Sequence, residues 1–341
     1  PKKTIQAAIN SANPGDKISV YPGDYSETAP SSTLSAASGG GTYQFGLFIS
    51  PEKNGITIQG VDATGVPVSN YSSVVANVEL KATNNFGPSG LFVEGDNVTI
   101  TGLNLFEAAG NMNKTVEVLG ENFTIKNCRL SDGYSLYIND WRYDATTNTS
   151  HITKYWIEGN SFEWGTSVDI CSGAGKSGPV SGRKILNNYF DGGGADYWAL
   201  VSFNGSGTPV PWFTYSVGGA EITGNTFTNA LQYIRHRGIL DESQFNWSQY
   251  WNENHFDKAV ITLSNEFSFT PRNYSYTNGS GTTFANAKRI GAIIQDEITT
   301  IAQNGDLVKI GEGTYAENII VNKEVAIRGT SQAETKIIPA I

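Results

Sequence analysis

The chain opens on Thr4-Ile5-Gln6-Ala7-Ala8-Ile9-Asn10-Ser11-Ala12-Asn13-Pro14-Gly15-Asp16-Lys17-Ile18-Ser19-Val20-Tyr21-Pro22-Gly23-Asp24-Tyr25-Ser26-Glu27, and much later it opens again. The second opening reads Ile293-Ile294-Gln295, then Ala302-Gln303-Asn304-Gly305-Asp306-Leu307-Val308-Lys309-Ile310-Gly311-Glu312-Gly313-Thr314-Tyr315-Ala316-Glu317. From Ala12 to Glu27 the two align without a gap at an offset of 290 residues. Self-similarity over such a distance marks a repeat architecture. A starting element recurs where an ordinary single domain would be finishing.

In the first opening Ile5, Ala8, Ile9 and Ala12 fall at helical spacing. Thr4 is placed to cap this helix, and Asn13-Pro14-Gly15 stops it. Ile18 and Val20 then alternate with Lys17 and Ser19 as in a half-buried strand. A short amphipathic helix before a first strand suits a cap, which keeps water and stray strands off the open end of a strand stack. The Ser-, Ala- and Gly-rich stretch between Tyr25 and Gln44 reads as a long exposed loop.

Outward from the opening, one unit recurs: Ile-x-Gly/Asn-Asn-x-Phe. It appears around Ile100, Ile125, Ile157, Ile185 and Ile222, at spacings of 25, 32, 28 and 37 residues, and a last variant is Trp251-Asn252-Glu253-Asn254-His255-Phe256. A shared core with insertions of varied length is the pattern of a solenoid. Gly or Asn permits the tight bend between two short strands, because both tolerate positive φ. Ile and Phe would stack into inner columns that no single unit can bury alone.

On these residues the chain resembles the right-handed parallel β-helix superfamily, the pectin-lyase-like fold, and in style the tandem-repeat microbial cell-surface members. The cap and the "ITGNTF" units carry the resemblance, over most of residues 4–262. It implies an all-β fold, a right-handed parallel β-helix solenoid with a short N-terminal capping helix. The expected organisation is a capped β-helix over residues 1–262, a linker over 263–289, and a second cap over 290–341 that starts a second β-helix or folds as a C-terminal lid. Tandem β-helices joined by a linker resemble long surface proteins more than compact secreted enzymes.

Composition agrees with β structure. Charged residues are 16% and Gly numbers 38 of 341, leaving few helix formers. A net charge of −9 argues against a nucleic-acid partner. No apolar run reaches 18 residues, so no membrane span is expected. The chain starts at Pro1-Lys2-Lys3 and enters structure at once, so any targeting segment lies outside it. Cys128 and Cys171 read as two small buried residues, with one disulfide as the alternative. There are nine Asn-x-Ser/Thr sites (Asn70, Asn97, Asn113, Asn122, Asn148, Asn204, Asn246, Asn273, Asn278), a chance outcome of an Asn-rich chain or a mark of glycosylation outside the cell.

Chemistry has three candidate seats. Polysaccharide lyases of the resembled fold need a Lys or Arg base and a cation beside a uronate carboxylate. Arg235 and Arg237 would share one strand face and His236 the other, and Lys176 flanks a Gly-rich insertion. Paired carboxylates for hydrolysis would be Asp191 and Asp196, with Asp140, Asp144, Glu163 and Asp169 nearby in the repeat. All seven tryptophans fall within 141–251. Trp141, Tyr143, Trp164, Tyr197, Trp198, Trp212, Tyr215, Tyr233, Trp247 and Trp251 form the expected carbohydrate-contacting set, since aromatic faces stack on sugar rings. No metal or cofactor signature is present, and calcium in the carboxylate-rich turns is the one cation the composition admits. The expected function is an extracellular, adhesin-like or S-layer-type module contacting a polysaccharide or cell-surface glycan, with self-association in a surface layer. The alternative is a polysaccharide lyase, ahead of a glycoside hydrolase.

Overall fold

The first helix runs Ile5–Ser11, and the Thr4 hydroxyl accepts the Ala7 N–H at 3.1 Å as its cap. It belongs to a computed structural model that describes residues 1–34, 41–81, 89–107, 114–131, 135–140, 143–144, 149–150, 154–172, 182–194, 199–204, 219–238, 242–277, 281 and 283–340. The protein is predominantly β, built on parallel sheets. Part of the stretch expected as a loop after Tyr25 is strand: Gly23–Glu27 continues into it, and Ser32–Thr33 pairs antiparallel with Thr42–Tyr43.

Most strands fall into three sheets, which the chain visits in turn. The first sheet orders Lys17–Val20, Thr57–Gly60, Thr99–Thr101, Phe123–Lys126, Tyr155–Glu158, Arg183–Leu186 and Glu221–Thr223, every neighbour parallel. The second begins at Gly23–Glu27 and ends at His255–Phe256. The third begins at Leu47–Ile49 and runs parallel as far as Gln232–Arg237. Between the first and second sheets the chain bends at Gly102, Asn127, Gly159, Asn187 and Gly224, with φ of +68°, +54°, +64°, +54° and +68°. These are the Gly/Asn positions of the recurring unit, in the left-handed region where a Cβ is costly.

After the bends from Asn127 onward, the next residue builds a polar ladder. Asn160, Asn188 and Asn225 each donate through Nδ2 to the side-chain oxygen of the next asparagine, ending at Asn254, at 3.0, 2.9 and 2.8 Å. The same Nδ2 groups donate to Ile125, Ile157 and Ile185 carbonyls, so buried amides are satisfied without water. Cys128 heads the ladder, its N–H donating to Asn160 Oδ1 at 2.9 Å. Two residues on, Phe162, Phe190, Phe227 and Phe256 stack with centroids 4.6, 4.9 and 5.2 Å apart. Ile58, Ile100, Ile125, Ile157, Ile185 and Ile222 are in-register partners and all buried. Each such side chain contributes about 1.5–3 kcal/mol by leaving water.

Beyond Glu221–Thr223 the first sheet gives way to a helix, Trp247–Asn252, whose Tyr250 hydroxyl donates to the Ala220 carbonyl at 2.9 Å. The stretch read as a linker carries two antiparallel strands, Tyr274–Thr277 and Thr283–Gly291. The second of these pairs antiparallel with Gln232–Arg237 and buries Phe284, Ala287 and Ile290. Leu307–Ile310 of the second opening pairs antiparallel with Val260–Leu263 and parallel with Ala326–Gly329. Gly313–Ala316 pairs parallel with Thr335–Ile338.

Candidate functional site

Strands of the third sheet alternate. Val116 and Val118, Leu136 and Ile138, Val168 and Ile170, and Val201 and Phe203 face the core. The residue between each pair therefore lies on the opposite face. Glu117, Tyr137, Asp169, Ser202 and Arg235 are consecutive in-register partners there, forming one row across five strands. Asn139, Cys171, Asn204 and Arg237 form the adjacent row.

At one end of the rows Glu117 Oε1 accepts from Lys114 Nζ at 2.8 Å and Asn139 Nδ2 at 2.7 Å, while Oε2 bonds the Ser89 hydroxyl. At the centre Asp169 accepts from Ser167 Oγ at 3.3 Å and Asn204 Nδ2 at 3.4 Å. Burial holds its carboxyl above the usual carboxylate range, against the opposing pull of the Arg235 and Arg237 charges and the Asn204 bond. Burial also pushes the Tyr137 phenol up, and the Cys171 thiol up to about 12.

At the other end Arg235 is wholly buried. It donates to Ser202 Oγ at 3.2 Å and to Gln232 Oε1 at 3.4 Å, and its guanidinium lies 4.2 Å from the Tyr276 ring centre. Arg237 donates to Asn204 Oδ1 at 2.7 Å and sits 4.7 Å from the Phe284 ring. Burial, then the neighbouring Arg235 charge, lowers the Arg237 guanidinium below its ordinary range. Arg235 Nε and Arg237 Nη1 are buried with no hydrogen-bond partner among the described residues. Unmade bonds on a buried cation are costly; Arg235 is sealed from solvent, whereas Arg237 is part-exposed, and a guanidinium is the side chain whose forked N–H groups match a planar oxyanion. The hairpin 274–291 supplies the aromatic rings, so the segment read as a linker is part of this site.

The expected residues divide as follows. Arg235 and Arg237 share the outer face. His236 points into the core against Phe245 and Trp247, at ring separations of 4.9 and 5.3 Å, and burial lowers it to about 3. With both ring nitrogens buried it belongs to the apolar interior rather than to the arginine pair. Asp191 holds a turn of the second sheet, accepting from Gly193 N–H and Asn229 Nδ2, each at 3.0 Å. Glu163 pairs with Arg129 at 2.9 Å. Tyr233, Trp247 and Trp251 are core side chains and leave no free face for a sugar, which removes them from the expected contact set. Trp164 is 73% exposed and holds a left-handed backbone at φ +58°, a strained setting for a bulky residue. Tyr143 is described by its backbone alone, and Lys176, Asp196, Trp141, Tyr197, Trp198, Trp212 and Tyr215 lie outside the described residues. Trp141 directly follows the strand Ser135–Asp140 in sequence, and Lys176, Trp212 and Tyr215 come later in the stretches after Val168–Ser172 and Val201–Asn204.

Both cysteines are free thiols, so the disulfide alternative is not realised. Several of the glycosylation-type asparagines have structural duties. Asn97 and Asn122 hold left-handed turns and bond each other at 2.9 Å, Asn70 and Asn246 cap short helices, and Asn204 binds Arg237. Among the described residues no group of three or more His, Cys, Asp or Glu is placed to hold a metal ion, and no helix is long and apolar enough to cross a membrane. Compared with known protein families, with curated proteins and with solved structures, the chain has no match.

The outer rows were missed by motif reading because their members come from strands tens of residues apart. A signal was present: a polar or aromatic residue set between two apolar ones in Val116-Glu117-Val118, Leu136-Tyr137-Ile138, Val168-Asp169-Ile170 and Val201-Ser202-Phe203.

Proposed function

We propose that the chain is an extracellular, cell-surface module of the right-handed parallel β-helix type, pectin-lyase-like in style, that binds an acidic carbohydrate on the outer face of its third sheet. The strand order and the recurring bends, ladder and stacks support the β-helix reading. In the same reading residues 1–262 are the body and 290–341 open a second unit. The observation that carries the function is the arginine pair of that face, sealed Arg235 beside part-exposed Arg237, with the Tyr276 ring against both. A uronate or sulfate group pairs with the part-exposed Arg237 guanidinium, and the Tyr276 ring beside it supplies a face for a sugar ring. Trp164, which follows the second-sheet strand Ser161–Phe162, is the exposed member of the expected aromatic set among the described residues.

A polysaccharide array tests this. Retention of a polyuronate or sulfated glycan that weakens about tenfold or more in Arg237→Gln, equivalent to about 1.4 kcal/mol or more, is the expected result. No retention of any acidic glycan, or retention indifferent to Arg237, overturns it. One observation favours lyase chemistry as the second reading: Arg237, a residue type that serves lyases as base, is part-exposed on the outer face, bonded to Asn204 Oδ1 at 2.7 Å. Release of unsaturated uronides, read as new ultraviolet absorbance and lost in Arg237→Gln, would turn the binding module into an enzyme.

A further inference from the structure

The second opening repeats the first down to single hydrogen bonds. Glu27 accepts the Ile5 and Gln6 N–H groups, and Glu317 accepts those of Ile294 and Gln295. Gln6 Oε1 accepts the Phe48 N–H at 2.8 Å, and Gln295 Oε1 accepts the Ile320 N–H at 2.6 Å. Lys53 donates to the Asn10 and Ala12 carbonyls, and Lys323 to those of Thr299 and Ala302. These bonds match Ile49 to Val321. The pairings Lys17–Thr57 and Leu307–Ala326, and Gly23–Ala76 and Gly313–Thr335, match Ile58 to Ile327 and Val78 to Ile337.

The matched residues have opposite surroundings. Ile49, Ile58 and Val78 are 0%, 1% and 0% exposed, whereas Val321, Ile327 and Ile337 are 49%, 38% and 46% exposed. The first three are covered by the next strands of their sheets: Val93 pairs with Ile49, Ile100 with Ile58 and Leu105 with Val78. Among the described residues no strand stands in those places on the second copy, and Ala326–Gly329 and Thr335–Ile338 are edge strands. An open parallel edge with an apolar inner face is a template for another strand.

We infer that the face of Val321, Ile327 and Ile337, with the edges of Ala326–Gly329 and Thr335–Ile338, is a docking site for one further round of the same repeat. Its occupant is a polypeptide that presents three short strands in parallel register, with Val, Ile and Leu at the rungs that Val93, Ile100 and Leu105 fill on the first copy. The inference rests on reading residues 290–341 as the opening of a second unit, and it is independent of the glycan site.

The test extends the full chain after residue 341 with a copy of residues 83–107, which keeps the first copy's spacing between consecutive strands. Hydrogen exchange is read at Ile327 and Ile337, with Ile58 and Val78 as the internal control for an intact body. Protection at Ile327 and Ile337 should rise about tenfold or more in the extended chain, and binding of a hydrophobic dye should fall. In the extended chain carrying Ile327→Lys and Ile337→Lys, both effects should vanish. Unchanged exchange on extension, or protection that survives the two lysines, overturns the inference. Sedimentation of the unextended chain should show a monomer. A dimer that Ile327→Lys disperses assigns the face to a second copy and also overturns it. None of these readouts moves if glycan binding fails.

Discussion

The two openings share a hydrogen-bond pattern and differ in what covers them. The first has a regular helix, Ile5–Ser11, with no acidic residue in its first turn. The second has one more residue between its matched positions: Ile9 to Ala12 spans three steps, Ile298 to Ala302 four. The extra residue is absorbed as a π-helical turn, Glu297–Ile301. Where the first has Ala7 and Ala8, the second carries Asp296 and Glu297, and Glu297 is wholly buried against Arg289 Nε at 2.7 Å and the Thr262 hydroxyl at 2.9 Å. Local pattern therefore fixes the cap, while burial of the same side chains depends on neighbours elsewhere in the chain. The first opening packs on the first strand of each of the three sheets; the second is pinned by an ion pair, and its far side is exposed at Val321, Ile327 and Ile337.

That comparison can be broken at its strongest point first. Glu297→Ala leaves Arg289 buried without its main partner, and should cost about 3–5 kcal/mol, read by denaturant unfolding. Ala8→Glu, at the matched place in the first helix, has no arginine to meet and should not mimic the gain. Next in size is the matched pair of isoleucines. Ile58→Ala should cost about 2–5 kcal/mol through transfer and cavity, and Ile327→Ala within about 1 kcal/mol, because that side chain is already half in water. Equal costs would mean that the second face is covered.

The smallest effect concerns pH. Burial holds the Glu27 carboxyl above its usual range, against the pull of the Ile5 and Gln6 N–H bonds. A raised acid contributes stability below the unfolded value of about 4.5 and loses it as pH rises through the folded value. The stability of Glu27→Gln relative to the parent should therefore climb as pH rises from about 4.5, by thermal unfolding across a pH series. Asp169→Asn should shift in the same direction from about 3.8, since burial raises that acid too.

Much of the framework was legible because its signals are local. The helix spacing of Ile5, Ile9 and Ala12, the Gly or Asn at each bend, and the asparagine that follows are read from a few adjacent residues, and they appear as the cap, the left-handed turns and the ladder. The opposite faces of Arg235 and His236 followed from strand alternation. Register across the third sheet was not legible, so Glu117, Asp169 and Ser202 gave no hint that they share a row with Arg235. Tyr233, Trp247 and Trp251 looked like sugar platforms because aromatic content alone cannot separate a core ring from a surface one. The hairpin 274–291 was hidden because its strands pair antiparallel onto a parallel sheet, with a partner some fifty residues upstream.

Native-state hydrogen exchange resolved to single amides tests the central claim, that the second opening is a copy of the first without its cover. Ala326 donates its N–H inward to Asp306, so alternation turns the Ile327 N–H to the open edge. Thr57 donates inward to Asp16, and the matching Ile58 N–H faces the strand Thr99–Thr101. The account predicts exchange at Ile327 and Ile337 at least about a hundredfold faster than at Ile58 and Val78. Equal protection at the two sets would contradict it.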